Sequence, residues 1–127
     1  MRYFLLLCAV VVAGCVTEPD EREFVIKVDS VRAPGVVSGG APFEVRFFGR
    51  VGTSGCYRFK ESRLTQSDGA ADVTLIGVGP DGRGRTCSDN IVGLDLRLTI
   101  SPPIADPFEL RVHQPSDEIL SKTIRAE

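Results

Sequence analysis

From residue 24 onward, apolar and polar side chains alternate in short runs. In "FVIKVDS" (24–30), Phe24, Ile26 and Val28 share one face, opposite Lys27 and Asp29. "PFEVRFFGR" (42–50) sets Phe43, Val45 and Phe47 against Glu44 and Arg46, and leaves Phe48 in the polar phase. "LDLRLTI" (94–100) is the most regular run: Leu94, Leu96, Leu98 and Ile100 alternate with Asp95, Arg97 and Thr99. "FELRVHQ" (108–114) repeats the pattern, "YRFKE" and "DVTLIGV" are shorter versions, and "ILSKTIR" (119–125) is less regular. Successive strand side chains point to opposite faces, so period two marks half-buried strands. About seven strands are expected, antiparallel, with no helical stripe between them.

The intervals carry turn chemistry. "APGVVSGGAP", "GTSGC", "QSDGAA" and "GPDGRG" are rich in the residues that bend a chain tightly. "SPPIADP" (101–107) cannot lie inside a sheet, because its prolines donate no hydrogen bond; an extended crossing between sheets is expected there. Short strands separated by such turns predict an all-β fold, a single antiparallel two-sheet β-sandwich over residues 24–127. In strand number and length this layout resembles immunoglobulin-like and fibronectin-type domains. It lacks the tryptophan of antibody domains, and its cysteines are too close for their inter-sheet bridge. The resemblance is architectural and carries no activity with it.

The first residues follow a different rule. Arg2 precedes an apolar run at 4–12, about nine residues long against the roughly twenty that span a bilayer as a helix. Small Ala13 and Gly14 then precede Cys15. Charge, short apolar run and small residues predict an export signal over 1–14. The other cysteine of this region, Cys8, follows three bulky leucines, which a signal peptidase does not accept. The string "VVAGC" (11–15) resembles the lipobox of bacterial lipoproteins. That resemblance implies lipidation of Cys15, cleavage just before it, and acylation of the new amine. Stable anchoring takes more than one acyl chain, and a lipoprotein cysteine carries three. "VTEPDERE" (16–23) then reads as a tether, so residues 15–23 form the lipidated cysteine and its leash. Val16, where aspartate signals inner-membrane retention in well-studied lipoproteins, implies the periplasmic side of the outer membrane in a cell with two.

Cys56 and Cys87 remain. In an exported protein an even remainder points to a disulfide, here expected to fasten a glycine-rich hairpin at one end of the sandwich. Two free thiols or half a metal site are the alternatives. With one histidine, His113, and no second cysteine pair, zinc is disfavoured, and no metal or cofactor is expected.

The formal charge of −2 and the lack of a basic run argue against a nucleic-acid partner. "GVGPDG" (77–82) matches a dinucleotide-loop string, but a proline and a tight turn follow where a helix is required. His113 has Ser116 and Asp117 nearby in sequence, which around a turn is not catalytic geometry; a solvated outward histidine is expected. Asp81, Asp89 and Asn90 lack calcium-loop spacing. Arg46, Arg58, Lys60, Arg97 and Arg111 are predicted to face outward. Aligned, they would form a basic patch for anionic polysaccharide or lipid; with Glu44, Glu61, Asp95 and Glu109 among them, mixed cross-strand pairing is the default. The expected protein is a non-enzymatic lipoprotein of the cell envelope, an interaction or structural module with a membrane anchor and an envelope protein or polysaccharide as partner. Two alternatives stay open: a small envelope hydrolase or carbohydrate-binding accessory, and a protease-inhibitor-like sandwich acting through the loop at 80–90.

Overall fold

The computed structural model describes residues 21–82 and 86–127, together with Gly14. The expected signal sequence, Cys15 and residues 16–20 of the tether lie outside the described residues. Among the described residues nine strands follow in order: β1 (Glu21–Val25), β2 (Val28–Arg32), β3 (Val36–Val37), β4 (Phe43–Gly52), β5 (Arg58–Gln66), β6 (Ala70–Pro80), β7 (Val92–Ile100), β8 (Phe108–His113) and β9 (Ile119–Ala126). They form two packed sheets, a six-stranded one (β5, β6, β1, β8, β9, β3) and a three-stranded one (β2–β4–β7).

The two-layer all-β expectation holds, with three differences in detail. First, the larger sheet is mixed: β6 pairs with β8, and β3 with β9, in parallel. Alternation reports which face a residue occupies and is blind to strand direction. Second, "FVIKVDS" is two strands, not one, and the two-residue β3 is added, which raises the count from about seven to nine. Third, β1 begins at Glu21, so residues 21–23 of the expected tether are strand; Glu21 pairs with Arg58 and Glu23 with Lys60.

β1 and β8 divide one edge of β6 between them. β8 lies along Ala70 to Val73, and β1 runs antiparallel along Ile76 to Pro80. Past Val25 the chain leaves this sheet for the other. Ile26 is fully buried at the step, and its amide donates to Leu75 O at 2.8 Å. Val28 then opens β2 with a register shift before Ser30. Gly49 faces this step, where a Cβ would stand 2.6 Å from Lys27 O. Both backbone groups of Val28 are met by one side chain: Gln114 Oε1 accepts from Val28 N and Gln114 Nε2 donates to Val28 O, each at 2.8 Å. The carboxamide thus acts as one more peptide unit at the place where sheet pairing is interrupted.

The core fills the space between the sheets. Phe43, Val45 and Phe47 of β4 meet Ala71, Val73 and Leu75 of β6 and Phe108, Leu110 and Val112 of β8. The Phe43 and Phe108 rings meet edge to face, centroids 6.1 Å apart. Fully buried side chains such as Phe47 and Phe108 each contribute roughly 2–3 kcal/mol from burial. The proline-rich stretch at 101–107 crosses from β7 to β8 and so joins the two sheets, as expected. Ile104 is buried in it, and its amide donates to Gly39 O at 3.0 Å.

Cys56 and Cys87 form a disulfide with Cα atoms 5.4 Å apart. The hairpin expected beside Cys87 is not formed, because β6 and β7 belong to different sheets and the chain crosses between them. The bond ties that crossing to the crossing between β4 and β5. Beside it the Tyr57 ring rests against Gly52 and Gly79, where a Cβ on either would overlap the ring.

Two outcomes are expected from urea denaturation. Gln114→Ala leaves two backbone groups of Val28 without their partner and lowers stability by about 2 kcal/mol; an unchanged midpoint would assign the crossing to packing alone. Loss of the disulfide, by Cys56→Ala with Cys87→Ala, frees a loop of 31 residues and lowers stability by about 3–4 kcal/mol.

Candidate functional site

The outer face of the larger sheet is closed by its own charges. Val78 and Ile76 of β6 are buried yet lie outside the core, in the same phase as Asp72 and Thr74. Glu23 and Arg58 stand directly opposite Val78, and Glu61 opposite Ile76. Arg58–Glu21, Lys60–Glu23 and Arg63–Glu61 ion pairs lie across them. Long charged side chains lay apolar stems over such residues and keep their heads in water. The hydrogen bond from Lys60 holds the Glu23 carboxyl below its usual range, and the hydrogen bond to Glu21 raises Arg58. Arg58 and Lys60 are thereby committed to carboxylates.

Further along the same face, Asp72 of β6 stands opposite Arg111 of β8. Its carboxylate accepts from Arg111 at 2.8 Å and meets His113 Nε2 at 2.9 Å. An ionised carboxylate only accepts, so the proton of this contact sits on Nε2. His113 does face outward. Asp72 is its side-chain hydrogen-bond partner among the described residues, and Ser116 and Asp117 make no such bond to it. Those two residues form the turn into β9 with left-handed backbones, φ 64° and 60°. The arrangement orients an imidazole without presenting a nucleophile to it, and His113 and Asp72 line none of the three cavities described below.

The outer face of the smaller sheet is different. Register places Arg32 of β2 opposite Arg46 of β4, and Arg46 opposite Arg97 of β7. Directly opposed residues share a face, so three guanidiniums form a row across three neighbouring strands. Like charges so placed repel. Two are compensated from adjacent positions. Arg46 is bidentate to Asp95, at 2.6 Å from Nε and 2.5 Å from a terminal nitrogen. Arg97 Nε lies 3.7 Å from Glu44. The Arg46 hydrogen bond holds the Asp95 carboxyl below its usual range. Arg32 is in no ion pair among the described residues. It lies 5.2 Å from the Phe48 ring centroid, with Arg46 4.8 Å from the same ring. Phe48, the one phenylalanine in the polar phase, thus packs with these two cations and is no open stacking platform.

A groove of about 390 Å³ runs beside the row, lined by Arg32, Ala33, Pro34, Glu44, Arg46 and Lys122. Lys122 comes from the other sheet. It stands opposite Leu110 in the inward phase of β9, and its ammonium reaches the side of the sandwich to donate to Val31 O at 3.3 Å. Two other cavities, about 230 and 370 Å³, lie at residues 66–68 with 101–103 and at Lys27, Asp29 and Arg50.

The five outward cations named from the sequence are therefore distributed. Arg46 and Arg97 come together on one sheet; Arg58, Lys60 and Arg111 lie on the other and are paired. Sequence reasoning missed Arg32 and Lys122. The signal for Lys122 was present, since a lysine stands in phase with Leu120 and Ile124. Of the remaining candidates, Gly77 and Gly79 of "GVGPDG" lie inside β6, and the chain turns at Gly82 with φ 92°. Asn90 Oδ1 is engaged by the Ser88 hydroxyl, and the described residues hold no cluster of three or more metal-ligating acidic, histidine or cysteine side chains.

A dependence on pH follows from Asp72. The Arg111 hydrogen bond, then that of His113, holds its carboxyl below the ordinary 3.8. A depressed carboxyl stabilises the fold fully above its unfolded value, and the contribution disappears as pH falls through the folded one. The stability gap between the native chain and Asp72→Asn is therefore expected to be constant above about pH 5 and to narrow below about pH 4, read from urea midpoints. A gap that ignores pH would separate Asp72 from acid unfolding. No protein-family model, curated protein or solved structure matches this chain.

Proposed function

We propose that this chain is a bacterial lipoprotein, held at the cell envelope by acyl chains on Cys15, and that its β-sandwich is a non-enzymatic binding module. The observation that carries the reading is the string "VVAGC" after a charged start and a short apolar run. Three features support it. β1 begins at Glu21, so the leash after Cys15 spans at most about 20 Å and the domain stays near the bilayer. The Cys56–Cys87 bond suits an oxidising compartment. Most charged side chains on the outer faces are used on one another, and the imidazole of His113 is held by Asp72, which suits recognition better than turnover. In a cell with two membranes the periplasmic side of the outer one is the expected address, with an envelope polymer or protein as partner.

Intact mass spectrometry of the protein from detergent-solubilised membranes tests the anchor. The expected product begins at Cys15 and carries three acyl chains, and Cys15→Ser leaves residues 1–14 attached. A native chain that retains residues 1–14, or a Cys15 without acyl mass, refutes the anchor.

A further inference from the structure

We infer that the groove beside the arginine row binds an acidic polysaccharide, one whose carboxylates alternate with free hydroxyls. This deepens the proposed function by naming the ligand class, and it rests on that reading for the supply of ligand and for one argument that sets a polymer above a lipid headgroup; the charge and lining of the groove are independent of the anchor.

The first support is the arrangement of positive charge. Arg32, Arg46 and Arg97 are in register, so their Cα atoms span two inter-strand steps, about 9.6 Å. A single anion cannot contact the whole row, whereas an extended chain laid across the strands meets each cation in turn. Lys122, entering from the opposite sheet, extends the positive lining to the side of the sandwich.

The second support is that this charge is incompletely answered. On the larger sheet Arg58, Lys60, Arg63 and Arg111 each have a carboxylate within 2.8 Å or less. On this face Arg46 is met by Asp95, but the carboxylate nearest Arg97 is 3.7 Å away, Lys122 donates to a neutral carbonyl, and Arg32 lies against the face of Phe48 with Asp95 acting on it only at longer range. The Phe48 ring supports the Arg32 guanidinium without using its in-plane donors, which are the groups that meet a carboxylate two at a time.

The third support is the composition of the lining. A densely charged phosphodiester chain is served by cations alone. Here Glu44 stands among the cations, a carboxylate able to accept from sugar hydroxyls, while Ala33 and Pro34 give an apolar surface for the carbon face of a ring. Oxyanions, hydroxyls and apolar ring faces in one extended molecule describe a uronic acid polymer. Position favours a polymer over a lipid headgroup as well. β1 starts opposite Pro80, at the end of the sandwich that bears the disulfide, whereas Glu44 lies one residue from the Phe43–Ile100 pair at the far end of β4. A leash before Glu21 therefore leaves the groove at the end away from the bilayer.

The test uses the full chain in a non-ionic detergent, with polygalacturonate as probe and binding read by calorimetry. Binding of the polymer is expected, weakening as salt rises, and galacturonate monomer is expected to bind at least tenfold more weakly. Arg32→Gln and Lys122→Gln are each expected to weaken polymer binding about tenfold, as removal of a charge-assisted contact does. Arg63→Gln makes the same charge change on the opposite face and is expected to alter binding less than twofold. Circular dichroism and thermal melting of each variant show whether it is folded, and Arg32 is exposed, so its variant serves even if Lys122→Gln unfolds. The inference is overturned if the native chain does not bind the polymer, if Arg63→Gln weakens binding as much as Arg32→Gln, or if monomer binds as tightly as polymer. Arg32-dependent binding to phosphatidylglycerol vesicles without binding to polygalacturonate also overturns it, in favour of a lipid headgroup. Because the anchor is read separately by mass, failure here leaves the Cys15 assignment standing, and failure there leaves the groove.

Discussion

A chain that passes between two sheets must leave hydrogen-bonded backbone at every crossing, and here the first crossing is completed by a side chain from far along the sequence. Gln114 meets both backbone groups of Val28. Without that carboxamide, β2 begins with an unpaired amide and carbonyl, at the step that lets one end of β6 host β1 while the other hosts β8. The arrangement of the larger sheet, and the edge position of β2 from which Arg32 projects, both follow from how that step is made. The core supplies most of the stabilisation, but apolar burial is indifferent to which strand lies beside which. The directional contacts at the crossings choose the order.

Much of this was legible beforehand. The inward sets Phe43, Val45, Phe47 and Phe108, Leu110, Val112 were visible as alternation, because one buried face leaves a period of two in the chain. The outward phase of Phe48, His113, Arg46 and Arg97 was visible for the same reason, and so was the crossing at 101–107, where prolines forbid pairing. What stayed hidden depends on contacts between segments far apart. No local pattern tells that Ile26 ends one sheet's pairing, that β6 and β8 run parallel, or that β6 and β7 lie in different sheets. The candidate site was half visible. Arg46 and Arg97 were identified singly, but their alignment with Arg32 is a matter of register across three strands, which composition does not encode.

The two outer faces treat charge in opposite ways. On the outer face of the larger sheet Arg58, Lys60, Arg63 and Arg111 each have a carboxylate beside them, and pairs among them shelter Ile76 and Val78 from water. Such exposed pairs contribute little stability individually; their effect is to leave a face with few unanswered charges. On the smaller sheet three arginines oppose one another, an arrangement that costs stability. The contrast within one domain separates a face whose charges are answered from one with donors left over, and it is the physical basis for proposing recognition on the smaller sheet.

The long reach of the Gln114 contact also governs timing. Its partners are 86 positions apart, and among the described residues β3 pairs with β9 alone. A polypeptide emerging amino end first therefore holds Val28 without its Gln114 partner, and Val36 and Val37 without β9, until the last part of the chain has been made. Topologies closed by such distant partners sit toward the slow side of folding. The β5–β6 hairpin and the β2–β4–β7 sheet can pair as they are made, but the larger sheet cannot be completed until β8 and β9 follow, so its closure comes last.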